Sequence, residues 1–150
     1  MKDLIIGIDP GTTGGIALLS TDLKFIKVDK FSTPKDVAQC LDSWGHLVIM
    51  AYIEGVNSRP GMGIASMFKF GMNYGIWQGL LTAFKIPFQR VYPLKWQTYM
   101  GCRTGGNKNI SKARAQELFP LIKVTHAVAD AILIAEYGRR QQHLASLDDI

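Results

Sequence analysis

Three of the twelve acidic residues in this 150-residue chain stand where packing alone would not put an acid. Asp9 ends the apolar run that begins at Leu4, Glu54 ends the run Val48–Ile53, and Asp130 lies inside Ala127–Ala135, the most apolar stretch near the C-terminus. A carboxylate taken out of water without a partner is costly, so each acid must be hydrogen-bonded, ion-paired or bound to a metal. Each has an ordinary explanation: Asp9 before Pro10-Gly11 as a turn residue, Glu54 as the start of a loop, Asp130 paired with a Lys or Arg across the fold. Three misplaced acids together favour a metal centre at Asp9, Glu54 and Asp130. With oxygen ligands only, such a centre suits Mg²⁺, with Mn²⁺ able to substitute, rather than zinc. It is the kind of cluster that holds two ions about 3.5–4 Å apart in phosphoryl chemistry.

Convergence requires particular elements. Leu4–Asp9, Gly15–Ser20 and Phe25–Lys30 read as strands joined by short turns, with Gly14-Gly15 supplying a hairpin turn. Ser32-Thr33-Pro34 opens a helix with a hydroxyl cap and Pro in its first turn. His46–Glu54 reads as a buried central strand. Residues 64–84 form a long helix, Pro87–Val91 a strand and Pro93–Tyr99 a short helix. Gly101–Asn109 is a basic loop, followed by helices over 111–118 and 125–141, with a flexible tail from about 142. This order predicts an α/β chain of one domain, a mixed five-stranded sheet flanked by helices. If the first and fourth strands are parallel neighbours about 4.8 Å apart, Asp9 and Glu54 fall side by side. Alternation puts Asp9 on the face of Ile5 and Gly7, and the last helix can bring Asp130 to it.

Gly71, Gly75 and Gly79 share one stripe of the long helix, each costing about 1 kcal/mol relative to Ala. Close packing of a neighbouring helix or the sheet is the expected reason; a second subunit or a DNA backbone is the functional alternative. Phe68 and Phe70 are expected in the core, although either ring could wedge into opened DNA.

The net charge is +5, and its distribution is uneven. From Arg59 to Lys123 there are ten Lys or Arg residues and a single acid, Glu117. Interleaved with Phe68, Phe70, Tyr74, Trp96 and Tyr99, that block favours a phosphate-rich partner over a merely solvated surface only modestly. Every apolar stretch is broken by Gly or a charge, so no membrane span is expected. Cys40 and Cys102, without CxxC spacing, read as ordinary reduced thiols.

The residues Ile5-Ile6-Gly7-Ile8-Asp9-Pro10-Gly11-Thr12-Thr13-Gly14-Gly15 resemble the first-strand signature of RuvC-like Holliday-junction resolvases, bacterial or phage nucleases of the ribonuclease H-like fold. Tyr52-Ile53-Glu54, Arg59-Pro60-Gly61, Ser66–Gly71, Lys112–Ala115 and Ala129–Ala135 resemble its later segments, in order, over roughly residues 4–140. The resemblance implies Mg²⁺-dependent nicking of four-way DNA junctions by a homodimer, with forks and flaps as further substrates. It gives Asp9, Glu54 and Asp130 catalytic roles. It points to Lys69, Lys95, Lys108 and Lys112 as phosphate contacts, to which Arg59 and Arg103 are added from exposed loops. It also implies work in the cytoplasm, a host's if the chain is phage-encoded. This agrees with Met1-Lys2-Asp3 leading directly into the first strand, which a cleaved leader would remove.

The chain departs from this pattern at one place. The fourth acid belongs three residues before Asp130, and that residue is Ala127. Three readings stay open: an Asp→Ala replacement made to stop turnover, substitution by His126 on the same helix face as ligand or water-positioning group, or a junction binder that cuts poorly. Two other functions compete. One is a non-catalytic branched-DNA-binding module with Ala127 as its natural residue. The other is a nucleotide-binding protein, because Gly7–Gly14 also resembles the first phosphate-binding hairpin of the actin, sugar kinase and Hsp70 ATPases.

Overall fold

The computed structural model describes every residue except Ser32, so the expected Ser32 cap lies outside the described residues. Five strands, β1 (Leu4–Ile8), β2 (Gly15–Ser20), β3 (Ile26–Lys30), β4 (Val48–Glu54) and β5 (Phe88–Val91), form one sheet in the order β3-β2-β1-β4-β5. β1, β2 and β3 run antiparallel in sequence, whereas β1–β4 and β4–β5 are parallel. The mixed five-stranded sheet expected from the sequence is therefore present. Its helices are α1 (Pro34–Trp44), α2 (Ile64–Ala83), α3 (Pro93–Tyr99), α4 (Lys108–Leu118) and α5 (His126–Asp148), with a 3-10 turn at Gly45–Leu47 before β4. Thr33 caps α1, its hydroxyl oxygen accepting the Asp36 N–H at 3.2 Å. Among the described residues no helix is long and apolar enough to cross a membrane.

Strand alternation divides the core in two. Leu4, Ile6 and Ile8 face α1 and α2, packing with Val37, Leu41, Trp77 and Leu81. Ile5 faces α5, packing with Tyr52, Trp96, Ala131 and Ile132. Gly7 is required by that second contact: a Cβ there would run into the Ala131 carbonyl and the Ala135 amide of α5. The helix thus lies directly on β1, and Asp9, on the same face as Gly7, emerges beside its first turns.

Two boundaries and the role of one glycine differ from expectation. α4 begins at Lys108, because the Asn107 side chain caps it by accepting the Asn109 N–H at 3.1 Å. α5 continues through the stretch read as a tail, to Asp148. Gly14 serves close approach more than turning: a Cβ there would collide with the backbone and carboxyl carbon of Asp9.

Candidate active site

The last paired residues of β1 and β4 are Ile8 and Ile53. The next residue along each parallel strand is an acid, Asp9 and Glu54. Asp130 comes from the second turn of α5. All three line one cleft of about 560 Å³, together with Arg59, Phe70, Leu94, Arg103, Lys108 and Ser111.

Each acid is partly withdrawn from water, and Asp9 and Glu54 are each held by a neutral donor. Asp9 Oδ1 accepts the Gly11 N–H at 3.1 Å, the local turn that its ordinary explanation foresaw. Burial nonetheless pushes its carboxyl up to about 6, with the charge of Asp130 adding to the effect and the Gly11 and Lys108 contacts opposing it. Glu54 Oε2 accepts the indole N–H of Trp96 at 2.9 Å. Burial, then the charges of Asp9 and Asp130, push Glu54 up to about 8. Burial also raises Asp130, against a Ser111 hydroxyl contact and the charge of Lys108. The shifts that Asp9 and Asp130 cause express repulsion among acids sharing one small region.

Among the described residues none of the three acids makes an ion pair; the pairs involve Asp22, Asp29, Glu117 and Glu136 instead. Partly desolvated oxygen ligands without a cation fit a hard divalent ion. They do not stand as a finished coordination shell: among the described residues no group of three or more His, Cys, Asp or Glu side chains is placed to hold an ion. Ligation by all three requires their free carboxylate oxygens to be drawn toward a common point.

The basic residues divide. Arg59, Arg103 and Lys108 line the cleft. Lys69 and Lys95 are exposed and Lys112 is half-buried, all three outside its lining. His126 is exposed at the start of α5, and Ala127 packs against the α5-side core; neither lines the cleft. Phe70 is half-buried on the cleft wall, but Phe68 is 70% exposed, not in the core as expected. The expectation for the α2 glycines is also overturned: among the described residues nothing lies within 4 Å of a Cβ at Gly71, Gly75 or Gly79.

Sequence reasoning missed Trp96 and Ser111. The available signal was that a buried indole N–H usually finds an acceptor. Nothing in the sequence says which one. Cys40 and Cys102 are free thiols, as expected.

Among the solved structures that resemble this one are two of Thermus thermophilus RuvC. The Thermus thermophilus RuvC structure matches with a TM-score of 0.67 at 16% identity, over 95% of this chain and 96% of that one. T. thermophilus RuvC in complex with a Holliday junction substrate matches with a TM-score of 0.66 at 15% identity, over 93% and 96%. The fold is thus RuvC-like, as the resemblance implied. No protein-family model and no curated protein matches the chain.

Proposed function

We propose that this chain is a structure-selective endonuclease that hydrolyses phosphodiester bonds in branched DNA, four-way junctions above all. One observation carries the reading: three acids with no ion-pair partner among the described residues meet at one cleft rimmed by Arg59, Arg103 and Lys108. The RuvC-like fold supports it, one of the similar structures being a complex with a Holliday junction substrate. Asp9, Glu54 and Asp130 would hold Mg²⁺ or Mn²⁺, which when bound polarises phosphate oxygens and makes water a stronger acid. In the net reaction a water oxygen bonds to phosphorus and one P–O ester bond breaks. The two protons of water end on the new phosphate and the released hydroxyl. Arg59, Arg103 and Lys108 grip phosphates beside the acids, while Lys69, Lys95 and Lys112 extend the basic track along the DNA. The work belongs where the cell's or host's DNA lies, in the cytoplasm.

The reading includes a homodimer through α2. Ile64, Phe68, Gly71, Met72, Gly75 and Gly79 recur at three- and four-residue spacing on one stripe, with Ile64 90% and Met72 53% exposed. The stripe carries no charge, and its glycines let another backbone approach closely. A second copy of the same stripe related by a two-fold axis is its natural occupant, because an isologous contact is self-complementary. Two active sites then serve the two strands of a symmetric junction.

The test is cleavage of four-way, forked and linear DNA in Mg²⁺ and in Mn²⁺, with Glu54→Gln as control. Nicking of branched DNA, lost in Glu54→Gln while junction binding persists, is the expected result. A second reading, a binding module that does not cut, is favoured by Ala127 and by acid side chains that do not converge on one coordination shell. It predicts junction binding without nicking in either ion, and no gain on Ala127→Asp. Increased nicking by Ala127→Asp would instead identify an intact centre lacking one acid.

A further inference from the structure

We propose that Trp96 is a positioning residue for the acid centre: its indole N–H fixes one oxygen of Glu54 so that the other serves a divalent ion. This rests on the metal-dependent reading above. The geometry is specific. Trp96 is wholly buried, and its Nε1 donates to Glu54 Oε2 at 2.9 Å across 42 residues of chain. The ring belongs to the core on the α5 side, which also contains Tyr52 of β4 and Val91 of β5. Its helix starts at Pro93, and Pro93, Leu94 and Gln97 line the same cleft as the acids. The donor is therefore set by packing and arrives at the carboxylate from a rigid wall.

Burial alone does not account for the pairing. Trp77, the other wholly buried indole, leaves its Nε1 without a hydrogen-bond partner among the described residues. This fold accommodates a tryptophan with no acceptor, yet at position 96 the N–H meets one of three acids at a strand end.

The neutrality of the donor matters as much as its position. A Lys or Arg in this place would hold Glu54 and cancel part of the charge that attracts a cation. An indole N–H orients the carboxylate without bringing a positive charge of its own. Asp9 is likewise held by a neutral donor, the Gly11 N–H. Removing partners that orient metal ligands typically lowers ion affinity 10–100-fold.

The test replaces Trp96 in the full chain by benzothienylalanine, which keeps the ring's shape but has sulfur in place of N–H, and separately makes Trp96→Phe. Mn²⁺ binding is read from the paramagnetic resonance signal of free ion, folding from near-ultraviolet circular dichroism, and junction binding in a chelator. Expected are retained folding, unchanged junction binding in the chelator, and Mn²⁺ affinity at least about tenfold weaker in both proteins. The ion concentration for half-maximal nicking should rise in parallel. Wild-type Mn²⁺ affinity in the folded benzothienylalanine protein would overturn the positioning role while leaving the metal centre standing. Failure of both replaced proteins to fold would also overturn it, leaving Trp96 as a core residue. Absence of Mn²⁺ binding by the unaltered chain, with Glu54→Gln indistinguishable from it, would remove the metal centre itself and the proposal with it.

Discussion

α5 and α2 are the two longest helices, 23 and 20 residues, and they lie on opposite faces of one sheet. α5 buries ten residues between Val128 and Gly138, whereas α2 buries only Asn73, Trp77 and Leu81. Their glycines differ in the same sense. Gly138 of α5 lies against the Tyr52 ring, where a Cβ would collide, while Gly71, Gly75 and Gly79 of α2 meet nothing among the described residues. α2 is nevertheless tied to the acid centre, since Asn73 donates its side-chain N–H to the Pro10 carbonyl, one residue beyond Asp9. The contrast separates two surfaces. The side that carries Asp130 beside Asp9 is packed backbone to backbone, and the other side leaves a long apolar stripe exposed.

The largest effect that this contrast predicts is at Gly7. Gly7→Ala must push α5 off β1, because the atoms it meets are backbone and cannot rotate away. A loss of about 3 kcal/mol is expected in denaturant titration, in the range for overpacking a rigid core. A cost under about 1 kcal/mol would mean that α5 is not seated on β1 as tightly as the contacts imply.

What the sequence disclosed follows the same division. An acid closing an apolar strand breaks the local pattern, so Asp9 and Glu54 were legible, and parallel register then made them neighbours. Asp130 was legible because an acid inside an apolar helix is equally out of place. The glycines of α2 were misread because glycine signals that something could come close without saying what or from which chain. Phe68 was assigned to the core for its apolar character, yet it shares the uncovered stripe with Ile64 and Met72. The Trp96–Glu54 bond joins residues far apart in the chain, and only tertiary structure pairs them. The start of α4 was hidden in a run of Gly, Asn and Lys that reads as loop, although Asn107 was its cap.

The acid centre should make stability depend on pH in the absence of divalent ions. Asp9 and Glu54 hold protons more tightly when folded than when unfolded, with values of about 6 and 8. The folded state is therefore favoured below the ordinary carboxylate range, and the advantage is lost as pH rises from about 4 toward 8. Melting in a chelator at pH 5 and pH 8 should show the decline, and Glu54→Gln should flatten it. A melting temperature that does not change over that range would contradict the crowded, desolvated acids described above.

Glu136, six residues after Asp130 on α5, should respond in the opposite direction. It is only 3% exposed, and its carboxylate accepts bonds from Arg139 and Arg140 at 2.7 Å each. Although burial acts to raise it, these two guanidinium groups hold its carboxyl below the usual range. Its contribution is present above about pH 4.5 and lost as pH falls through the lowered folded value. Glu136→Gln should cost about 2 kcal/mol at neutral pH, the scale of hydrogen bonds to charged groups. The cost should shrink in acid; a constant cost at pH 3 and pH 7 would assign the effect to packing instead of charge.

The smallest change in stability, and the sharpest division between the two helices, is expected at Gly75. With no atom near its absent Cβ, Gly75→Ala should stabilise α2 by up to about 1 kcal/mol, the helix-propensity gain. If the α2 stripe is where two copies meet, the added methyl groups also stand between the two backbones. The monomer then becomes slightly more stable while the dimer weakens, and the two effects separate by concentration. Sedimentation equilibrium should show the self-association constant of Gly75→Ala reduced. Denaturant melts at a concentration where the chain is monomeric should show the gain. If both quantities rise together, the glycine stripe is not a close backbone contact, and the second copy must sit elsewhere.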